Sequence, residues 1–255
     1  MYAVFLIIFD QKILQFLNKL SIMKKIGLVG GTGPESTLMY YKELNSRIDS
    51  LTNGKAMPDI VIESVNFRRV WSYVTDGKYD MLVDYLAEKI NNLIKSGAEV
   101  VSLTAVTMHT VFDELQKRCP LPLVSIPKAV CEKAVANNIK KVALLGTIFT
   151  MEQDYMKKDL RDNGIEVIVP EKDDRILIAK RILEELELGI VKESTLREFV
   201  AIINNMKQTH GIEAVILGCT ELPLILNPDN CPVHCLDAVE IHLEKLISFA
   251  VGDGK

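Results

Sequence analysis

The feature that most constrains the fold of this chain is an internal repeat. Segments of the first half recur in the second half in the same order. Three pairs of segments match, at offsets of 114, 116 and 112 residues. Three matches in one order at nearly one offset are hard to attribute to chance, so the sequence predicts two copies of one structural unit. The pairs are residues 97–105 with 211–219, residues 24–30 with 140–146, and Cys119-Pro120 with Cys231-Pro232.

Short β-branched runs alternate with longer amphipathic stretches along the chain, which predicts parallel sheets built from βαβ units. Together with the repeat, this predicts an α/β fold of two similar parallel-sheet domains related by a pseudo-twofold duplication. The predicted strands are Lys25–Val29, Asp59–Val65, Val100–Leu103, Leu123–Ser125, Lys141–Leu145, Glu166–Val169, Ala214–Leu217 and Val233–Leu236. Helical patterns fill the gaps, for example at Met81–Lys95, Met151–Asn163 and Thr195–Gln208.

The repeat also predicts where the domains and the site lie. We expect a first domain at residues 23–127, completed by residues 233–255, and a second domain at residues 128–232. Ligands of open parallel sheets bind beyond the carboxyl ends of the strands, so the active site is expected in the cleft between the two domains. The repeat would put Ala105 and Cys219 at equivalent positions on opposite walls of that cleft. This geometry suits chemistry on two faces of one carbon atom.

Composition narrows the class of partner. The chain has 255 residues, of which 48% are hydrophobic and 25% charged, enough for two packed domains. A net charge of −4 gives no long-range attraction to nucleic acid or to an anionic membrane, so a small molecule is the expected partner. The five cysteines form no CxxC motif and the four histidines show no metal-ligand spacing, so no metal site is expected. An odd cysteine count without a secretory signal predicts reduced thiols and a cytoplasmic protein.

Residues 1–22 are an N-terminal extension of uncertain status. The apolar run Val4–Phe9 is interrupted by Asp10 and Lys12 and is too short to span a bilayer. It also lacks the basic segment and cleavage site of a signal peptide. From Met23 onward the sequence reads like the beginning of an α/β protein, so either Met23 is the natural start or residues 1–22 form an added amphipathic arm.

A glycine-rich segment, Gly30-Gly31-Thr32-Gly33-Pro34-Glu35-Ser36-Thr37, follows the first predicted strand and opens a helix. Its glycines let the backbone approach an anion, and the amino terminus of the helix supplies N–H groups and the positive end of the dipole. Ser36 replaces the third glycine of a dinucleotide fingerprint, and no Gly-Lys-Ser/Thr of a P-loop follows. The segment therefore predicts either a site for a carboxylate-sized anion or a plain strand-to-helix turn.

The strongest chemical signal is Leu217-Gly218-Cys219-Thr220-Glu221-Leu222-Pro223. A buried apolar strand is expected to lead into Gly218-Cys219, and the residues after Cys219 look like the first turn of a helix. The helix dipole and nearby amide donors would lower the pKa of the Cys219 thiol and make its thiolate accessible near neutral pH. The alternative is a cysteine that merely ends a strand. Thr104-Ala105-Val106-Thr107-Met108-His109 is the counterpart in the first half, where His109 is either an active-site group or a hydrogen-bonded structural residue.

These motifs together resemble the aspartate/glutamate racemase family, over about residues 23–250. The glycine-rich segment is similar to the family's amino-terminal signature, and Gly218-Cys219-Thr220-Glu221 to its second cysteine motif. Thr107-Met108-His109 resembles the end of its Cys-Asn-Thr-x-His motif. Further segments fit the family pattern: Leu145-Gly146-Thr147, Thr150, Tyr155, residues 164–170, and Glu185-Leu186 with Gly189.

The resemblance implies a cofactor-independent isomerase, with no pyridoxal group, that acts on an amino acid and allows a homodimer. In such enzymes one cysteine removes the α-proton and another delivers a proton to the opposite face. The α-proton is weakly acidic, so preorganised donors must stabilise the developing charge. The resemblance assigns acid/base chemistry to Cys219. It assigns substrate binding to Gly31, Thr32, Gly33, Thr107, Met108, His109, Thr147, Thr220 and Glu221.

One departure affects the chemistry: Ala105 stands where the family's first cysteine belongs, and Val106 replaces the following asparagine. Three hypotheses follow. Thr104 or Thr107, or a water beside them, acts on the Ala105 side, with slow or one-sided catalysis because a hydroxyl is a poor base. Alternatively, Cys219 alone serves a one-face reaction, as in related single-cysteine decarboxylases. As a third possibility, the protein binds an amino acid without turning it over, as a sensor would.

The sequence gives less information about the side chain of the substrate. Arg68 and Arg69 follow the second predicted strand, where a guanidinium can pair with the side-chain carboxylate of aspartate or glutamate. Lys180, on a later predicted helix, is a further candidate for substrate binding. For all three residues the alternative is a solvated surface charge. Val106 makes the expected pocket more apolar, which would instead admit a neutral or basic side chain.

Overall fold

The computed structural model describes residues 23–252. The predicted N-terminal extension, residues 1–22, lies outside the described residues. Within the described range, no helix is both long enough and apolar enough to cross a membrane. The chain divides into two compact units: unit 1 contains residues 23–104, 114–124 and 243–252, and unit 2 contains residues 105–113 and 125–242.

Strands and helices alternate along the chain. In chain order they are β1 (Ile26–Gly30), α1 (Pro34–Leu51), β2 (Ile60–Ser64), α2 (Phe67–Thr75), α3 (Tyr79–Lys95), β3 (Val100–Leu103), α4 (Phe112–Arg118), β4 (Leu123–Val124), α5 (Ile126–Ala136), β5 (Lys141–Leu145), α6 (Ile148–Glu152), α7 (Lys158–Asp162), β6 (Glu166–Ile168), α8 (Lys172–Glu184), α9 (Glu193–His210), β7 (Ala214–Leu217), β8 (His234–Asp237) and α10 (Ala238–Ala250). Short 3-10 helices lie at Val106–Val111, Leu186–Leu188 and Leu222–Leu224.

Unit 1 is built on a four-stranded parallel sheet in the order β2-β1-β3-β4. The two central strands are buried along their whole length, as expected of parallel strands covered on both faces. Helix α1 turns Tyr40, Leu44 and Ile48 into the core, and these residues recur every four positions along one stripe of the helix.

Unit 2 repeats the same arrangement, with its parallel strands in the order β6-β5-β7-β8. Alternate residues of the central strands enter two different apolar clusters. Val142 and Ile216 belong to one cluster, and their neighbours Ala143 and Leu217 belong to the other. The period of two residues places one cluster on each face of the sheet. The predicted α/β class with two similar parallel-sheet domains is confirmed, and so are all eight predicted strands.

Two helical predictions are wrong in detail. The helix expected at Met151–Asn163 is instead two short helices, α6 and α7, separated by a turn that contains Tyr155. Lys157 stabilises that turn by donating from Nζ to the carbonyl oxygen of Met151 at 2.8 Å. The helix expected after Cys219 is only the single 3-10 turn Leu222–Leu224.

Candidate active site

The glycine-rich segment of unit 1 is a tight turn between β1 and α1. Gly31 has φ +88°, and a Cβ there would lie 2.6 Å from Ser64 Oγ and 2.7 Å from the Val65 carbonyl oxygen. Only glycine fits so close to the end of β2. Gly33, with φ 77°, is the N-cap of α1, and Pro34 occupies the first turn of the helix.

Two hydroxyl side chains at the start of α1 fasten this turn to the end of β3. The N–H of Gly31 donates to Thr37 Oγ1 at 2.9 Å. Ser36 Oγ donates to the carbonyl oxygen of Thr104 at 2.6 Å. The Gly31 N–H is therefore used within the turn, while Thr32 is nearly buried beside it at 9% exposure.

Thr104, a candidate for proton transfer, is buried inside unit 1. Its hydroxyl donates to the Val29 carbonyl oxygen at 3.4 Å and lies 3.3 Å from Thr37 Oγ1. These contacts tie the end of β3 to the end of β1. They favour a structural role for Thr104 over one in proton transfer.

Arg68 and Arg69 are exposed at the start of α2 in unit 1. The backbone N–H of Arg69 completes the N-cap by donating to Asn66 Oδ1 at 3.2 Å. Its guanidinium lies over the Tyr85 ring, with Cζ 5.1 Å from the ring centroid. The structure thus gives Arg69 a stacking partner within unit 1.

In unit 2, β5 and β7 come into close contact where they end. The Gly218 N–H donates to the Leu145 carbonyl oxygen at 2.8 Å. A Cβ at Gly218 would lie 2.8 Å from that oxygen and 3.1 Å from Thr150 Cγ2, and a Cβ at Gly146 would lie 3.0 Å from Thr150 Cγ2. Glycine at both strand ends leaves room for Thr150. Cys219 is the next residue of the chain after this junction.

The Cys219 thiol faces a carboxylate rather than a helix amino terminus. Its Sγ donates to Glu221 Oε2 at 2.9 Å. Burial, followed by the negative charge of Glu221, raises the pKa of the thiol well above its usual value. The prediction of a lowered pKa is therefore wrong, because the 3-10 turn at Leu222–Leu224 is too short to supply a helix dipole. In this structure Cys219 is a protonated thiol at neutral pH.

A second carboxylate adds to the negative charge near the Cys219 thiol. Glu187, in the 3-10 helix Leu186–Leu188, raises the Cys219 pKa further. Burial and the charge of Glu221 in turn raise the pKa of Glu187. The thiol therefore has two acidic neighbours, whose combined charge would attract an ammonium group.

A chain of hydroxyl groups runs beside Cys219. Thr147, the N-cap of α6, accepts from the N–H of Thr150 at 3.2 Å, and their hydroxyl oxygens are 3.1 Å apart. Thr150 Oγ1 lies 3.0 Å from the Tyr155 hydroxyl, which also hydrogen-bonds with Thr107. Burial raises the pKa of Tyr155. The phenol is therefore protonated, and it interacts with both Thr150 and Thr107.

The segment around Ala105 is held mostly by apolar packing. Ala105 is extended and partly exposed, and it begins the 3-10 helix Val106–Val111. Val106 belongs to an apolar core cluster of unit 2 and is 8% exposed. Its side chain therefore fills the core, contrary to the expectation that it lines a substrate pocket. Met108 is fully buried, so only its backbone could serve a ligand.

His109 is hydrogen-bonded through both ring nitrogens. Its Nε2 accepts from the Ile126 N–H at 3.1 Å, which leaves the proton on Nδ1. Nδ1 lies 3.1 Å from the Ala105 carbonyl oxygen and 3.2 Å from that of Val106. Burial lowers the pKa of His109 to about 3, so the ring is neutral. These contacts match the structural alternative for His109, since the ring links Ala105 to the start of α5.

The structure thus gathers some predicted site residues and leaves others apart. Tyr155 connects Thr107 and Thr147 with the surroundings of Cys219, and partly buried Thr220 separates Cys219 from Glu221. Lys180 is exposed on α8, 3.9 Å from Glu184. The sequence motifs did not single out Thr150, Tyr155 or Glu187 as site residues, although Thr150 and Tyr155 fit the family pattern. Ala105 and Cys219 both lie in unit 2, and the predicted domain boundaries and cleft stay predictions.

Comparison with known proteins agrees with these motifs. Residues 29–246 match the family model described as Asp/Glu/Hydantoin racemase. A crystal structure of a putative Asp/Glu racemase from Yersinia pestis is 33% identical, with a TM-score of 0.85 over 90% of this chain and 100% of that one. An aspartate racemase homologue from Pyrococcus horikoshii OT3 is 38% identical, with a TM-score of 0.81 over 89% of this chain and 99% of that one.

Among characterised sequences, the broad specificity amino-acid racemase RacX of Bacillus subtilis strain 168 is 23% identical over 216 residues, covering 84% of this chain and 92% of that protein. The family model alone spans most of the chain, from the end of β1 into α10. This chain therefore belongs to the Asp/Glu/Hydantoin racemase family.

Proposed function

We propose that this protein is a cofactor-independent amino-acid racemase in which Cys219 is the acid/base group on one face of the substrate. The observation that carries the proposal is the contact between Cys219 Sγ and Glu221 Oε2 at 2.9 Å, directly after β7. Membership of a racemase family supports the reaction class. The relatives named as a broad specificity amino-acid racemase and an aspartate racemase homologue support an amino acid as the substrate.

The protonation states of Cys219 and Glu221 suggest which group donates a proton and which accepts one in each step. A protonated Cys219 donates its proton to the carbanionic Cα, so that the S–H bond breaks as the C–H bond forms and a thiolate remains. In reverse, Glu221 first accepts the thiol proton, and the thiolate then removes the α-proton. The substrate ammonium is attracted by Glu221 and Glu187, and backbone donors around Thr107 and Thr220 stabilise the charge that develops on its carboxylate.

Ala105 affects the proposed proton transfer on the second face of the substrate, because it stands where a second cysteine would be expected. Thr104 is buried, with its hydroxyl engaged by Val29 and Thr37, whereas Thr107 is partly exposed and hydrogen-bonded to Tyr155. We therefore assign proton transfer on this face to Thr107, or to a water beside it. Ala105 also favours a second candidate, a one-face reaction at Cys219 alone.

The test is α-proton exchange in D₂O with a panel of L- and D-amino acids that includes aspartate and glutamate. Loss of the α-proton signal is followed by NMR and inversion by chiral chromatography. We expect the wild-type protein and the control Cys119→Ser to catalyse exchange, and Cys219→Ser to lose about a hundredfold or more. Full exchange in Cys219→Ser would refute the thiol assignment. Exchange without inversion would support the one-face candidate, and binding without exchange would support a sensor.

A further inference from the structure

A buried carboxylate, Glu185, lies between α8 and α9 in unit 2. Its side chain is only 5% exposed. Three side chains donate hydrogen bonds to it: Thr195 Oγ1 at 2.5 Å, Arg181 Nη1 at 2.8 Å and Lys192 Nζ at 3.0 Å. The hydrogen bonds from Thr195 and Lys192, followed by the charges of Arg181 and Lys192, lower the pKa of Glu185. The carboxylate is therefore charged at neutral pH and fully engaged by its neighbours.

Arg181 extends these contacts further into α9. Its guanidinium donates from Nε and Nη2 to the two carboxylate oxygens of Glu198, each at 2.9 Å. The Glu185 cluster, which consists of Arg181, Glu185, Lys192, Thr195 and Glu198, therefore ties the last turn of α8 to the beginning of α9. Removing one partner from such a cluster leaves a buried charge unpaired, which is costly. The cluster thus holds the connection between the two helices in one arrangement.

The backbone of Glu185 closes the turn that follows it. Helix α8 ends at Glu185, and the 3-10 turn Leu186–Leu188 begins directly after it. The Glu185 carbonyl oxygen accepts from the N–H of Leu188 at 3.0 Å and from that of Ile190 at 2.9 Å. Glu185 therefore fixes this turn in two ways, through its buried side chain and through its backbone.

The turn packs into the apolar cluster that borders Cys219. Leu186 is 1% exposed and belongs to the same cluster as Leu217 and Leu222. Cys219 is partly buried and packs against this cluster, between Leu217 and Leu222 in the sequence. The neighbouring residue of the turn, Glu187, adds its charge to the causes that raise the pKa of Cys219. The Glu185 cluster and the thiol therefore lie on the two sides of one short turn.

We propose that Glu185 is a positioning residue for Cys219, because its buried hydrogen bonds hold the turn Leu186–Leu188 against the apolar cluster that borders the thiol. The part that this thiol plays in catalysis rests on the racemase function proposed above, whereas the effect of Glu185 on the thiol does not. A fixed turn keeps water away from Cys219 and keeps the charge of Glu187 in place, and both conditions oppose ionisation of the thiol. The alternative is that the Glu185 cluster only joins α8 to α9, with no effect on Cys219.

The experiment measures how fast iodoacetamide alkylates Cys219 in the full-length protein across a series of pH values, by mass spectrometry of the Cys219 peptide. Glu185→Gln keeps the shape of the side chain but removes the charge that holds Arg181 and Lys192. We expect alkylation to become at least about threefold faster at a fixed pH, with the pH profile shifted to lower pH, because half a pKa unit changes the thiolate fraction about threefold. Thr195→Val removes one donor with little change of shape, so it should shift the profile less and in the same direction.

Two controls separate a local effect on Cys219 from general loosening of unit 2. Glu193→Gln removes a carboxylate that pairs with Arg197 at the exposed start of α9 and takes no part in the Glu185 cluster, so alkylation of Cys219 should not change. Cys131 is buried in the other apolar cluster of unit 2, on the opposite face of the sheet, and should react at the wild-type rate in every variant.

An unchanged rate at Cys219 in Glu185→Gln would overturn the proposal, and so would an equal acceleration at Cys131. Circular dichroism checks that each variant folds, and Thr195→Val decides the question if Glu185→Gln does not fold. The α-proton exchange of the wild-type protein is measured separately. Its absence would refute the racemase proposal, while a shifted alkylation profile would still establish the effect of Glu185 on the thiol.

Discussion

Cys219 shows how a neighbouring charge sets the chemistry of a thiol. The thiol faces the carboxylate of Glu221, which opposes a second negative charge and raises the thiol pKa. In the proposed racemase, the contact with Glu221 keeps a proton on Cys219 for delivery to carbon. Sequence alone did not show this arrangement, because it depends on which side chain the fold places against the sulfur.

The carboxylate of Glu221 can be tested through the reactivity of Cys219. In Glu221→Gln the negative charge is lost, so the pKa of Cys219 should fall and its thiolate fraction at a fixed pH should rise. A shift of one pKa unit corresponds to about a tenfold change in this fraction. We expect iodoacetamide to alkylate Cys219 about tenfold faster at pH 7.5 in the variant, as measured by mass spectrometry of the Cys219 peptide.

Two matched variants make this comparison specific. Glu187→Gln should accelerate alkylation of Cys219 less, because its charge is the smaller influence on the thiol. Glu184→Gln removes a carboxylate from the exposed end of α8 and should leave the rate unchanged. An equal effect from all three substitutions would show that net charge, rather than contact with the thiol, controls the rate.

At the scale of elements, the strands were predictable and the turns between helices were not. Each central strand is a short apolar run that is buried along nearly its whole length, so local sequence is enough to predict its position. The segment 151–163 has helical periodicity, yet it breaks after α6. There the hydroxyl of the partly buried Tyr155 interacts with Thr150 and Thr107, and a local sequence pattern does not predict such contacts. Tyr155 was missed as a site residue for the same reason.

The junction of β5 and β7 gives a prediction about stability. In Gly218→Ala the new Cβ would meet the Leu145 carbonyl oxygen at 2.8 Å, so the backbone must shift. We expect a loss of about 1–3 kcal/mol in the free energy of unfolding, as for other overpacked positions. Urea denaturation followed by circular dichroism measures this through the transition midpoint, with the slope unchanged.

Gly146→Ala is the matched comparison for this junction. Its Cβ would meet Thr150 at 3.0 Å and the Gly218 carbonyl oxygen at 3.3 Å, both less severe than the contact at Gly218. We therefore expect a smaller loss of stability than in Gly218→Ala. If Gly218→Ala were as stable as the wild-type protein, the close approach of the two strand ends would be contradicted.

Over the whole molecule, the repeat predicted two units with one strand order, and both sheets have it. The copies differ at the positions to which the racemase proposal assigns chemistry. After β7, Cys219 is followed by partly buried Thr220, whereas after β3, Ala105 is followed by Val106 in an apolar core. The repeat indicates where a second thiol would stand, and in the structure the residue beside that position, Val106, packs in an apolar core.

This correspondence predicts that a thiol at position 105 creates or strengthens two-base chemistry. Ala105 is extended and partly exposed, with φ −126° and ψ 135°, so Ala105→Cys adds one sulfur atom without backbone strain. A thiol ionises more readily than the threonine hydroxyl or water that we assign to this face. We expect racemisation to rise at least about tenfold in both directions, measured by chiral chromatography of L- and D-substrates in D₂O.

Ala105→Ser is the matched control, because it adds a group of similar size that is a poor base near neutral pH. The serine variant should racemise at the wild-type rate, and Ala105→Cys combined with Cys219→Ser should lose the gain, since inversion needs a donor on each face. Solvent deuterium should appear in the inverted product of Ala105→Cys. An equal rate in the cysteine and serine variants would mean that position 105 does not reach the substrate carbon. The two copies would then share a fold without sharing equivalent catalytic positions.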